Sequence, residues 1–255
     1  IRHQRVFIRS MTASNLIIRS SIARLSFTVV AMAISFFMMP FIIRLLGDRW
    51  YGILTMLSAI TGYYYFIDFG LASAVTRYVT MYIARNDDEN VNIIINTSLV
   101  IYCVMALLII FVTLVVCYFA QLFLSEPDDL AIIRIALIIM GIHLALEFPF
   151  KAFVGIMGAY IRYDLLTYSH FLALIFSTAL TVYFLLLGYG IIALAMIGLV
   201  TSIMSNIIFY LIAKHLYKSM QLSKRYFRKS QIRELFSYSV WTFVMQIGEQ
   251  MRYRI

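Results

Sequence analysis

Residues 91–124 read VNIIINTSLVIYCVMALLIIFVTLVVCYFAQLFL, and no charged side chain interrupts them. A helix at a water interface needs a polar face opposite its apolar one, and this run has too few polar residues to make one. A bilayer core about 30 Å thick is crossed by about 20 mostly apolar residues in a helix. No water is available there, so the segment must satisfy its own backbone hydrogen bonds, which a helix does. The run is too long and continuous to be an alternating barrel strand. The rest of the chain agrees. Of 255 residues, 63% are hydrophobic and only 13% charged, and mean hydropathy is +0.89. Soluble domains carry about 25% charged residues, so the main solvent of this chain is lipid. Disorder is excluded, because it requires low hydrophobicity.

Five more runs of this kind occur, at 22–46, 51–83, 130–159, 163–187 and 190–217, and a seventh starts near Leu235 and is still running at Ile255. The fold class expected is therefore an all-α polytopic membrane protein. Its connections are short: LGDRW, SEPDD and LGYG separate successive runs. The longest polar stretch is KSMQLSKRYFRKSQIRE, 218–234. A basic amphipathic lead-in precedes the seventh run as one precedes the first, as in transporters built from two repeated bundles. The division expected is a transmembrane bundle over 1–217, a basic linker over 218–234, and the first helix of a second bundle over 235–255. On this reading the chain is a fragment of a longer protein.

The net charge of +9 does not point to nucleic acid, because the basic residues fall between apolar runs. Arg2, Arg5, Arg9, Arg19 and Arg24 precede or open the first run. Arg77 and Arg85 lie at the end of the second, Lys151 and Arg162 near the end of the fourth, and seven Lys and Arg residues between Lys214 and Arg233. The other side has Arg44, Arg49 and Arg134 with the acidic EPDD. Positive charge collects on the cytoplasmic side, so the N-terminus and the even-numbered loops are expected there. Cys103 and Cys117 lie in one helical run, roughly 21 Å apart, too far to form a disulfide with each other.

Charged groups inside such spans are costly, by about 2.5–3.5 kcal/mol on insertion scales, and mark interior or wet sites. Asp68 falls mid-run in GYYYFIDFGLASAVTRYV, 62–79. On a straight helix Thr61, Tyr64, Tyr65, Ala72, Val75 and Thr76 share its side, a polar and aromatic face suited to a cavity. Arg77 would lie on the opposite side unless the helix bends at Gly70. His143, Glu147 and Lys151 are four apart and line one face of the fourth run, beside Pro149, which is expected to kink the helix. Glu147 and Lys151 can pair locally. Gln246, Glu249, Gln250 and Tyr253 form a polar face on the seventh run. Ser202, Ser205 and Asn206 read as interhelical hydrogen-bonding residues, and His170 as structural. The histidines are scattered, no catalytic constellation gathers at one depth, and no metal-ligand spacing occurs, so neither an enzyme nor a metal site is expected.

The segment FFMMPFIIRLLGDRWYGILTMLSAITGYYYFIDFGLASAVTRYV resembles the opening of polysaccharide biosynthesis proteins, the oligosaccharide-lipid flippases. The resemblance rests on Pro40, Leu46–Gly47, Tyr51–Gly52, Gly62–Tyr63, Asp68–Gly70–Leu71 and Arg77–Tyr78; YIRYDLL, 160–166, looks similar too. It implies a MATE-like architecture of two six-helix bundles facing a central cavity, of which this chain supplies the first bundle and one further helix. The implied cargo is an oligosaccharide on an undecaprenyl-pyrophosphate carrier in a bacterial inner membrane, with other polysaccharide-assembly proteins as partners. Lys151, Arg77 and Arg24 are then candidate contacts for phosphate, and Tyr63, Tyr64 and Tyr65 candidates for stacking on sugars. Asp68, Glu147, His143 and Glu249 are candidates for the cavity and for a coupling proton or sodium ion; no other cofactor is expected. The alternatives are a multidrug/cation antiporter of the same superfamily and an integral-membrane polymerase or acyltransferase.

Overall fold

The computed structural model describes the backbone of residues 2–122 and 129–254, and the side chains of residues 18–64, 67–121 and 129–245. It is all-helical, with no strand among the described residues. Eight α-helices follow one another among the described residues: α1 (Arg2–Leu46), α2 (Asp48–Tyr63), α3 (Leu71–Ala84), α4 (Asp88–Phe119), α5 (Leu130–Ala159), α6 (Tyr163–Leu186), α7 (Ile191–Leu216) and α8 (Lys229–Arg254). Within these, Ile18–Leu46, α4, α5, α6 and α7 are each long and apolar enough to cross a membrane.

The outside of the bundle is greasy. Phe36, Phe37, Leu107, Phe111, Leu186 and Trp241 are exposed, while Asn92, Asn96, Ser98, Asp164, Asn206 and Ser239 are buried. Water would reverse that arrangement; lipid favours it, because polar side chains there need protein partners. The chain is a multi-pass membrane protein.

The second apolar run is not one helix. After α2 comes a tight 3₁₀ turn, Tyr64–Asp68, and then Phe69 and Gly70 adopt left-handed conformations with φ of 46° and 77°. Glycine takes that conformation freely, whereas a side chain such as that of Phe69 costs roughly 1–2 kcal/mol there. Two consecutive residues of this hand stop the helix, and α3 restarts immediately after them. The straight-helix face drawn through Asp68 is therefore replaced by a break at Asp68–Gly70, and Ala72, Val75 and Thr76 belong to a separate helix. The fourth run, α5, continues as one helix through Pro149.

At the centre lies α5, packed on α3, α4 and α7; α6 joins α7 to α1. Small residues let α5 approach its neighbours. A methyl group on Gly155 would stand 2.6 Å from Val75 Cγ1, and one on Gly158 2.8 Å from Thr76 Cγ2. Gly141 sits equally tightly against Thr113. The main core cluster joins Leu71, Val75 and Val79 of α3, Tyr102, Met105 and Ile109 of α4, and Phe148, Ala152 and Ile156 of α5. Helix α8 leans on α3 and α4. Its closest approach is at the break: a Cβ on Gly70 would lie 2.6 Å from Thr242 Oγ1 and 3.1 Å from the Ser239 carbonyl oxygen. Phe69 also meets Phe243 edge-on at 5.2 Å.

At the basic end the linker before α8 is held against α4. Asn92 and Asn96 are one helical turn apart. The Asn92 amide donates to the Ser219 carbonyl (3.1 Å) and its oxygen accepts from the Gln221 N–H (2.8 Å). The Asn96 amide donates to the Gln221 carbonyl (2.7 Å) and its oxygen accepts from the Ser223 N–H (2.9 Å). The Thr97 hydroxyl accepts from the Arg228 N–H at 3.2 Å. Two asparagines thus replace a neighbouring strand for an extended segment, serving backbone groups that would otherwise need water. Tyr217 adds a hydrogen bond from its hydroxyl to Asp88 Oδ1 at 2.8 Å. Burial, together with that carboxylate, pushes the Tyr217 phenol well above its ordinary value.

Candidate functional site

The break in the second run carries Asp68 into the bundle. Its carboxylate meets Lys151 of α5, with Nζ 3.8 Å from Oδ1. Both side chains are about 15% exposed: 15% for Asp68 and 16% for Lys151. Lys151 also lies 4.1 Å from the centre of the Phe148 ring, a cation–π contact that strengthens as water is excluded. Phe148 is itself buried edge-on against Tyr102 of α4, 6.2 Å between ring centres. The Tyr102 hydroxyl faces the same carboxylate, near enough to feel its charge but outside hydrogen-bond geometry. Two helices and one helix break therefore converge on one ion pair.

Such a pair is close to balanced. Desolvation costs each charge several kcal/mol, and mutual attraction returns most of it only while both partners stay charged and close. A proton, a metal cation or an anion that reaches either member competes with the other. The break sets Asp68 at this position; a continuous helix would have no local freedom there.

The other sequence-derived candidates fall elsewhere. His143, Glu147 and Lys151 do share one face of α5. His143 packs against Gly198 of α7, and the charge of Glu147 is felt at His170 of α6. His170 is wedged between Phe209, 5.6 Å away, and Phe27, 6.3 Å away. Tyr64 is buried close to Thr113 of α4, whereas Tyr63 is 70% exposed. Arg24 is exposed on α1, a helix that packs chiefly on α6. Arg77 is exposed on α3 and stacks over Tyr238 of α8, with Cζ 4.3 Å from the ring centre. The side chains of Tyr65 and Glu249 lie outside the described residues, as do those of Gln246, Gln250 and Tyr253. Among the described residues no group of acidic, histidine or cysteine side chains could hold a metal ion.

Sequence reading missed three features. Tyr102 was hidden in an apolar run with nothing to distinguish it from core. Asn92 and Asn96 carried a legible signal, two amides four apart at the start of a span, but their partner was invisible. Asp164, at the very start of the fifth run, gives no sign in the sequence of its burial or of its partner on α1. It is wholly buried, held by Arg162 (Nε to Oδ1, 2.9 Å; Nη2 to Oδ2, 3.3 Å) and by Arg19 of α1 at 3.6 Å. This two-arginine clasp ties the start of α6 to α1.

The fold and this site define a polytopic helical membrane protein with a discontinuous span and a charge pair inside the bundle. A family model described as polysaccharide biosynthesis protein matches residues 17–251. The chain belongs to the polysaccharide biosynthesis protein family. None of the curated proteins and none of the solved structures matches it.

Proposed function

We propose that this chain is part of a flippase that moves a lipid-linked oligosaccharide, on an undecaprenyl-pyrophosphate carrier, across the bacterial inner membrane. The observation that carries the reading is the broken second span with its Asp68–Lys151 pair. Discontinuous helices in transporters place charged groups and freed backbone at the transport site. Membership of the polysaccharide biosynthesis family supplies the cargo class. A pyrophosphate-bearing sugar cannot cross hydrocarbon alone, because an unpaired charge there is prohibitive. A protein cation that can exchange one anion for another lowers that barrier.

In this scheme Lys151 is held by Asp68 at rest. Protonation of Asp68, or arrival of sodium there, releases the ammonium to meet phosphate, and Glu147 on the same face of α5 is the second acceptor for the coupling ion. The N-terminus and the basic linker face the cytoplasm. Residues 1–217 rock as one bundle against a second bundle that begins with α8, and the cycle leaves every covalent bond of the cargo intact.

The test is translocation in proteoliposomes. The parent protein should move a fluorescent lipid-linked oligosaccharide between leaflets, and Lys151→Ala and Asp68→Asn should each slow it by about tenfold or more. The double change Asp68→Leu with Lys151→Met should restore folding stability, because no lone charge is left, yet fail to restore transport. Full translocation by both single variants would refute the assignment.

A further inference from the structure

Helices α1 and α6 leave an apolar groove of about 630 Å³ between them. Ile18, Ile22 and Phe27 line it from α1, and Tyr168 and Phe171 from α6. Ile18 and Phe27 are nine positions apart, about 13 Å along a helix. That is close to one leaflet of a hydrocarbon core about 30 Å thick. The groove starts at the basic end of the bundle, where the apolar run of α1 begins, and Arg19 lines it there.

The charge at this end does not balance. Asp164 is already gripped by both arms of Arg162, at 2.9 and 3.3 Å. Arg19 reaches it with Nε only at 3.6 Å, on an oxygen that Arg162 has taken, and its side chain is 59% exposed. Two guanidinium groups thus stand against one carboxylate. A snorkelling arginine needs only to reach water. This one is steadied on its other side by the Tyr168 ring, 5.9 Å from Cζ to the ring centre, and so is held at the groove. A guanidinium in that position presents forked donors that match the oxygens of a phosphodiester. A zwitterionic head group would bring its own cation into this excess of positive charge, whereas an anionic one completes it.

We infer that the α1–α6 groove is a binding site for an anionic phospholipid of the surrounding membrane, with its phosphodiester on Arg19 and one acyl chain along Ile22, Phe27 and Phe171. The lipid is a resident component and not the cargo, so the site stands apart from the transport reading and from the Asp68–Lys151 pair. Helix α1 packs chiefly on α6, and the Arg19–Asp164 contact ties the two at one end. A lipid seated in the groove touches both helices along the next leaflet's depth and holds α1 in place from the membrane side.

A tryptophan placed in the groove can report on it. The chain's own two tryptophans, Trp50 and Trp241, lie outside it. With Trp50→Phe and Trp241→Phe as background and Phe171→Trp as the reporter, the full chain is reconstituted in bilayers that mix phosphatidylcholine with dibrominated phosphatidylglycerol. Bromine quenches an indole it touches, so the quenching curve gives the relative binding constant of the two lipids at the groove. Phosphatidylglycerol should be preferred about fivefold, the effect of one basic side chain on an anionic lipid. Arg19→Gln should bring the ratio to about one, and Arg19→Lys, which keeps the charge, should retain most of the preference. Arg162 still holds Asp164 in both variants. Ala23→Phe leaves every charge in place but fills the groove, and should erase the preference. A parent ratio within about 1.5-fold of unity, or an unchanged ratio in Arg19→Gln, would overturn the inference. So would an indole that neither lipid quenches when brominated, because protein would then cover the groove. Displacement of the brominated lipid by undecaprenyl pyrophosphate at one-tenth of its concentration would also overturn it, by assigning the groove to a carrier lipid.

Discussion

Replacing Asn96 with alanine should free the linker that joins α7 to α8. Asn96 is 8% exposed and makes two hydrogen bonds to linker backbone, at 2.7 Å to the Gln221 carbonyl and 2.9 Å from the Ser223 N–H. Each such bond contributes about 1 kcal/mol net, so the docked state loses about 2 kcal/mol. At about 1.4 kcal/mol per decade, the undocked population rises roughly 30-fold. The linker contains Lys224, Arg225, Arg228 and Lys229, so trypsin reads that population directly. When redocking is fast relative to cleavage, the cleavage rate follows the open fraction. Limited proteolysis of nanodisc-embedded protein, with mass spectrometry of the 224–229 cuts, should show the roughly 30-fold acceleration. Asn92→Ala should act in the same direction, since Asn92 grips Ser219 and Gln221. Asn206→Ala should leave these cuts unchanged, because Asn206 bonds the Leu146 carbonyl of α5 instead. A rate within about twofold of the parent for both Asn92→Ala and Asn96→Ala would refute the asparagine clamp.

Two further outcomes follow from the packing and the caps. Gly155→Ala should destabilise the protein by about 1–3 kcal/mol through overpacking against Val75; Val75→Ala in the same chain should recover part of the loss, and thermal unfolding in detergent reads both. At the start of α4 the Asp87 carboxyl is held below its ordinary value by hydrogen bonds from the Asn90 side chain and N–H. Its contribution is complete above the unfolded value, about 3.9, and is lost as pH falls through the lower folded value. Exchange protection of the Asn90 amide should therefore drop only in that acid window, and Asp87→Asn should remove the pH dependence while keeping a capping acceptor.

Much of the candidate site was legible in one dimension. Asp68 and Lys151 stood out because charge in an apolar run is expensive wherever the run ends up. The four-residue spacing of His143, Glu147 and Lys151 placed them on one face, as the structure has them. The bend at Gly70 was visible as a condition, since glycine permits it, but the left-handed Phe69 beside it was not, because no local preference asks for it. Arg77 was legible as a charge and not as a partner of Tyr238, which lies 161 positions away in sequence (238 − 77). Asn92 and Asn96 displayed their spacing without their purpose for the same reason.

By itself, the sequence determined the solvent and the all-helical class. Hydropathy is a property of each run taken alone, and in lipid a long apolar run has helix as its only way to satisfy its backbone. It also determined which end of the bundle collects positive charge. Only the tertiary structure decided who meets whom: Lys151 with Asp68, Arg77 with Tyr238, two asparagines with a passing linker, and Asp164 with two arginines. Those pairings depend on where one helix breaks and how closely glycine lets its neighbours approach. Both are fixed by packing between segments remote in sequence, which no local pattern of residues records.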